Sequence, residues 1–117
     1  MSDMLIPGGM SHTLAVFVPS EGKDGLVMSS DAHKALVRNA LRFFSNQFGG
    51  ATALSAQGAW VLPDSRLAVE DVTVVMSWAG EIDPNKVRLV LLYAKLLKNH
   101  TQQDAVSVLV DGKLIFV

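Results

Sequence analysis

The chain has 117 residues, half of them hydrophobic, which suits one domain with a single packed core and excludes a disordered chain. A formal net charge of −1 gives no overall field that would attract nucleic acid or an acidic membrane. The absence of cysteine excludes disulfides and thiolate metal sites, and no apolar run approaches the roughly 20 residues of a membrane span. The composition therefore predicts a cytoplasmic protein with no membrane partner.

The first part of the chain predicts a leader, a strand and a helix. Residues 1–12 show no periodicity and are expected to form a flexible leader, which leaves residues 13–117 as a single domain. Residues 13–18 are rich in β-branched and aromatic side chains, which favour a strand. Ser29 offers an N-cap for a helix with an apolar stripe, and Gly49 offers the left-handed residue that ends it.

Two strands are expected in the middle of the chain. Residues 51–62 are small or β-prone but are interrupted at Gln57 and Gly58, which suggests a bulged strand. After a polar turn, residues 72–78 alternate between the two faces of a central strand.

The last part of the chain predicts a second helix and a hairpin. Asp83 before Pro84 is a favourable helix start, and the helix should run to about Lys98. Asp111 and Gly112 separate two apolar runs, as in a hairpin with a two-residue type I′ turn. With right-handed crossovers, this order predicts an α+β fold, a ferredoxin-like β-α-β-β-α-β sandwich. Its two helices cover one face of an antiparallel sheet that carries an extra C-terminal hairpin strand.

Basic residues are concentrated on the two predicted helices. Seven of the ten Lys and Arg residues lie there, where the only acids are Asp31 and Asp83 near the helix starts. Such a face could bind a polyanion, and Arg38 and Arg42 are candidate contacts for a small anionic ligand. The alternative is a solvated face, because Lys and Arg are good helix formers.

The second helix is apolar on more than one side. A helix on a sheet needs only about a third of its surface apolar, so the surplus must pack elsewhere. It could pack within the chain, but an exposed apolar patch favours a homo-oligomer. The predicted subunit interface consists of Leu89, Leu92, Tyr93 and Leu96.

No group of residues predicts catalysis, a metal site or a cofactor. His12, His33 and His100 are far apart and fit no metal-ligand spacing, and surface capping is the simpler role for the last two. Glu70 and Asp71 are neighbours on a strand, so their side chains point to opposite faces and cannot act as a pair. The sequence therefore favours a binding protein over an enzyme.

Two further positions are candidates for ligand binding. Gly49 and Gly50 follow a helix, whereas phosphate loops precede one, so helix capping explains them better. Thr52 just beyond could still line a pocket. Trp60 could stack on a base or ring if its face is open, although cross-strand pairing with Trp78 would also explain it.

One run of residues forms a pattern: Phe48 to Thr52 (Phe-Gly-Gly-Ala-Thr), then Gly58, Trp60 and Glu70 before an apolar strand. With this pattern the chain resembles a family of small uncharacterised prokaryotic and viral α/β proteins. The resemblance implies a fold more than an activity, and an accessory role on a mobile element or phage. The leading prediction is an oligomer that binds a small, nucleotide-like anion or a partner protein. The alternatives are an inhibitory protein–protein interaction module and, less favoured, a nucleic-acid-binding protein that uses the basic helices.

Overall fold

The structure, a computed structural model, describes residues 9–117. The elements run in the order β1 (His12–Pro19), α1 (Ser30–Phe48), β2 (Thr52–Val61), β3 (Leu67–Ala79), α2 (Pro84–Thr101), β4 (Ser107–Val110) and β5 (Lys113–Phe116). The strands form one antiparallel sheet in the order β2-β3-β1-β4-β5, and both helices pack on one face. The predicted ferredoxin-like sandwich with an extra hairpin strand is confirmed.

The helix ends follow the local signals in the sequence. The Ser29 hydroxyl accepts a hydrogen bond from the Ala32 amide at 3.1 Å, and Gly49 closes α1 with φ of 88°. The Asp83 carboxylate accepts one from the Asn85 amide at 2.9 Å at the start of α2. This helix runs three residues beyond the predicted Lys98 and ends at Gln102, whose φ of 59° is also left-handed.

The β2–β3 ribbon differs from the prediction. The expected bulge is wrong, because Gln57 pairs with Asp71 and Gly58 with Glu70 in continuous register. Strand β3 begins at Leu67, five residues before the predicted start, since pairing with β2 continues through the polar residues that hid the alternation.

Part of the predicted leader belongs to the sheet. His12 is the first residue of β1 and pairs with Ala79, while the earlier residues 1–8 lie outside the described part of the chain.

The core lies between the sheet and the two helices. Leu14, Val16 and Val75 point from the sheet toward Phe44 of α1 and Val90 of α2, and all five are buried. Phe44 is the largest of the fully buried side chains. The hydrophobic stripes that define the helices thus meet the inward positions of β1 and β3, as a two-layer fold requires.

The opposite face of the sheet, which we call the open face, has no helix over it in the described chain. Side chains alternate along β3, so Glu70 and Trp78 point to the open face while Val75 points to the helices. Trp78 is 44% exposed, and Phe116 at the far edge is 68% exposed. The open face is therefore apolar and accessible, with one carboxylate toward its end.

Candidate functional site

A pocket of about 550 Å³ lies where three distant segments of the chain meet. One wall is the loop at residues 21–25 after β1, and a second is residues 102–104 after α2. The third is the end of the β2–β3 ribbon, which contributes Trp60 and Glu70. We call this cavity the acidic pocket, for the charges described below.

Hydrogen bonds hold the first wall in shape. The Gly22 amide donates to the Leu26 carbonyl at 2.8 Å, and the Met28 amide donates to the Ser20 carbonyl at 2.9 Å. The side-chain amide of Gln103 donates to the Glu21 carbonyl and ties this loop to the segment after α2. The two walls are therefore joined directly, which fixes the width of the pocket between them.

Gly22 is required by close packing of the same walls. A Cβ atom at this position would lie 3.2 Å from the Thr101 carbonyl oxygen, closer than ordinary van der Waals contact. Its missing side chain lets the loop approach the end of α2.

Glu70 lines the pocket with a half-buried side chain. It projects from β3 opposite Gly58, whose missing side chain leaves space beside it. Within residues 9–117, its Oε1 atom is buried and has no hydrogen-bond partner. Burial raises the pKa of Glu70, the Glu21 carboxylate raises it further, and the backbone amides of Glu21 and Ser20 oppose these effects. A positively charged group in the pocket would offset the repulsion between the carboxylates of Glu70 and Glu21.

The charges around the pocket favour a cation. Four carboxyl groups and one ammonium line it, from Glu21, Asp24, Glu70, Asp104 and Lys23. The indole of Trp60 stands beside them with 49% of the residue exposed. An aromatic face with carboxylates around it is the usual protein environment for an organic cation, because both attract positive charge.

The four ligand-binding residues expected from the sequence do not share this pocket. Trp60 lines it, but Thr52 lies eight residues away on β2, about 27 Å along an extended strand. Thr52 instead lines a smaller cavity of about 290 Å³ with Gly49 and Gly50. Arg38 and Arg42 are exposed on α1, in the layer that covers the other face of the sheet.

The expected pairing of the two tryptophans is wrong. Trp60 lies opposite Ala68, and Trp78 lies opposite Thr13, at different levels of the sheet. Each indole is therefore free of the other, and Trp60 is available to the acidic pocket.

The predicted interface residues of α2 meet in one place. Leu89, Leu92, Tyr93 and Leu96 line an apolar groove of about 560 Å³, together with Leu36 and Phe43 of α1. We call it the helix groove. It lies in the helix layer and is lined by none of the residues of the acidic pocket.

His33 has a structural role. The imidazole of His33 contacts the Pro19 carbonyl through Nδ1 at 2.9 Å and the Thr73 hydroxyl through Nε2 at 2.8 Å. His33 thus links α1 to two strands instead of capping a helix at the surface, as had been expected. Among residues 9–117, no group of three His, Asp or Glu side chains could hold a metal ion.

Two solved structures resemble this fold. One is a phage SAM lyase in complex with S-methyl-5′-thioadenosine, with a TM-score of 0.60 and 14% identity over 93% of this chain and 91% of that chain. The other is a phage SAM lyase in the apo state, with a TM-score of 0.61 and 14% identity over 95% and 91%. Because both structures are only 14% identical to this chain, the similarity shows a shared fold and nothing further.

Comparisons with protein families and with curated proteins found nothing similar. No family model matches the sequence, and no curated protein matches it. The resemblance to small uncharacterised prokaryotic and viral proteins therefore stays a prediction. Within residues 9–117, neither helix has the length and apolar character needed to cross a membrane.

Sequence reasoning missed most of the acidic pocket. Two polar loops supply its other acids, Glu21 and Asp24 from one and Asp104 from the other. The loops are more than 75 residues apart in the sequence, and no local pattern relates them. They come together because β1 and α2 run in the same direction, so that the loop after β1 meets the segment after α2. The one available signal was Glu70, a lone carboxylate on the open face of a strand that is otherwise apolar there.

Proposed function

We propose that this protein binds S-adenosylmethionine in the acidic pocket and cleaves it to S-methyl-5′-thioadenosine. The observation that carries the proposal is that an exposed indole, Trp60, and the carboxyl group of Glu70 line the same acidic pocket. S-adenosylmethionine has a flat adenine ring and a sulfonium cation, and both suit such a site. The fold shared with a phage SAM lyase supports the same assignment.

The electrostatics of the pocket oppose the small anion that the sequence suggested. A nucleotide phosphate would have to approach four carboxyl groups with only Lys23 as a counterion. S-adenosylmethionine reverses this balance of charge, because its sulfonium and its α-ammonium group can both face the carboxylates of the pocket. Lys23 is then available for the ligand's single carboxylate.

The proposed reaction breaks one carbon–sulfur bond. S-methyl-5′-thioadenosine is S-adenosylmethionine without its four-carbon amino acid chain, so the bond from sulfur to Cγ of that chain must break. The electron pair of this bond returns to sulfur, and the sulfonium becomes a neutral thioether. Because a lyase adds no water, Cγ of the leaving chain must form its new bond within the fragment. Either the chain's own carboxylate oxygen attacks Cγ and closes a lactone ring, or a Cβ proton passes to a carboxylate of the acidic pocket and the electron pair of that C–H bond forms a Cβ–Cγ double bond. Neither route uses an external oxidant or reductant.

Calorimetric titration with three ligands tests the proposal. We expect S-adenosylmethionine to bind more tightly than S-adenosylhomocysteine, which has the same parts but a neutral sulfur, and ATP not to bind. Chromatography of the S-adenosylmethionine mixture should show S-methyl-5′-thioadenosine accumulating with time. If ATP binds as tightly as S-adenosylmethionine, the small-anion site suggested by the sequence is favoured instead. If S-adenosylmethionine binds but no product forms, the protein binds this ligand without cleaving it.

We further propose that the protein is a homo-oligomer that assembles through its open face. Monomers seldom leave so wide an apolar surface in water. Native mass spectrometry should give a multiple of the chain mass, and replacing both Leu114 and Phe116 by serine should shift it toward the monomer. Assembly that survives this change but is lost on replacing Leu92 and Leu96 would place the interface on α2, as the sequence predicts. A cytoplasmic location stays a prediction.

A further inference from the structure

The helix groove has the size and lining of a site for a short helix. Its floor contains the rings of Phe43 and Tyr93, packed edge to face with centroids 4.4 Å apart. Leu92 and Leu96 form one rim and are 50% and 70% exposed. From Leu89 to Leu96 the groove extends about 10 Å along α2, which matches two turns of a bound helix.

Positive charge flanks this apolar groove on both sides. Arg88 and Lys95 lie four residues before and three residues after Leu92, so they neighbour it on the outer surface of α2. Arg42 holds the equivalent position on α1, three residues after Asn39 in the opposite wall. All three are exposed, and within the described helices the one acid is Asp31, in the first turn of α1.

A second copy of this chain is a poor occupant of the groove. Packing two helix layers against each other would bring Arg88 and Lys95 of both chains into one interface without acids to compensate. A partner must therefore supply apolar side chains at helical spacing together with negative charge beside them.

We propose that the helix groove is a docking site for an acidic amphipathic helix of a partner protein. The apolar face of that helix fills the space above Phe43 and Tyr93, and its flanking Glu or Asp side chains pair with Arg42, Arg88 and Lys95. This surface shares no lining residue with the acidic pocket, so separate substitutions can test partner binding and ligand binding.

Fluorescence anisotropy with two matched peptides tests the proposal. The first is a capped peptide of about 18 residues with leucines spaced three and four apart and glutamates on both flanks, and the second has lysine in place of each glutamate. We expect the protein to bind the acidic peptide at least about 10-fold more tightly than the basic one. Failure of both peptides to bind at millimolar concentration overturns the proposal, as does equal binding of the two.

Variants locate the binding and separate it from other surfaces. Two double variants should each lower the affinity for the acidic peptide at least about 10-fold. They are Arg88→Glu with Lys95→Glu, and Leu92→Ser with Leu96→Ser. Lys113→Glu, which changes an exposed cation on β5, is the matched control and should leave the affinity unchanged. Circular dichroism and the melting temperature establish that each variant is folded, since all the changed residues are exposed.

A comparison with vesicles distinguishes a protein partner from a lipid surface. Vesicles rich in phosphatidylglycerol carry the same negative charge without a helix. If they bind the protein and displace the acidic peptide through the same residues, the occupant is a lipid surface and the proposal is wrong. If they leave the peptide bound, the helix-in-groove assignment stands.

Discussion

Replacing Glu70 with glutamine is expected to weaken S-adenosylmethionine binding about 10- to 100-fold. The change keeps the size of the side chain but removes the negative charge from an oxygen that is buried and unpaired within residues 9–117. A hydrogen bond or ion pair to a charged group contributes about 1.5–3 kcal/mol, which corresponds to that range of affinity. Calorimetric titration of the variant and the unchanged protein gives the two dissociation constants directly.

The matched control is Glu81→Gln. Glu81 is exposed in the turn between β3 and α2 and does not line the acidic pocket, yet its replacement changes the net charge by the same amount. Its affinity for S-adenosylmethionine should therefore equal that of the unchanged protein. An equal loss of affinity in both variants would mean that only the total charge matters. Unchanged affinity in Glu70→Gln would show that Glu70 does not contact the ligand.

The same Glu70→Gln variant should be more thermostable than the unchanged protein at neutral pH. Burial and Glu21 raise the folded-state pKa of Glu70 above its ordinary value of 4.5, so the folded state holds the proton more tightly than the unfolded state. The favourable contribution of this group is complete below the ordinary value and is lost as pH rises through the folded-state pKa. Glutamine has no proton to lose, so the gain in melting temperature should grow from pH 4 to pH 7. Lower stability of the variant across that range would contradict the burial argument.

Replacing Phe44 with alanine is expected to cost about 3–5 kcal/mol of unfolding free energy, the largest stability effect of any single substitution considered for this chain. Phe44 is 0% exposed and stands in the aromatic row of α1, with its ring centroid 5.6 Å from that of Phe43 and 5.9 Å from that of Phe48. Truncation leaves a cavity between α1 and the sheet that the two-layer packing cannot fill. Urea denaturation followed by circular dichroism measures the difference.

Two companion variants make that measurement specific to burial. Phe44→Leu keeps much of the side-chain volume and should lose clearly less stability than the alanine variant. Val61→Ala removes an apolar side chain that is exposed at the end of β2 and should change the unfolding free energy by no more than about 0.5 kcal/mol. A similar loss in all three variants would show that Phe44 does not anchor the core.

The sequence predicted the elements wherever a local signal was strong. Ser29, Gly49 and Asp83 delimit the helices because capping depends only on neighbouring backbone groups. The Asp111–Gly112 turn was equally readable, and both residues have the positive φ that a type I′ hairpin needs. The bulge at Gln57 was predicted wrongly because a weak alternation of small residues does not reveal whether pairing continues.

The candidate site was much harder to predict than the fold. Trp60 was named as a candidate ligand contact and lines the pocket, but its expected companions Arg38, Arg42 and Thr52 lie elsewhere, since sequence spacing cannot tell which ends of the strands meet. The preference for an anion followed from counting cations on the helices. Pocket charge, however, depends on loops that converge only in the folded chain, and those loops are acidic.

The separation of charge between the helix layer and the acidic pocket gives a nearly neutral protein a strong internal dipole. A cationic ligand in solution is repelled by the helices and drawn toward the pocket before it touches either surface. An acidic partner experiences the opposite field and is directed to the helix groove. Both encounters are accelerated by the same arrangement, and both slow as added salt shortens the range of the field to about 10 Å or less. One distribution of charged residues thus directs cationic and acidic ligands to two different surfaces of the same small protein.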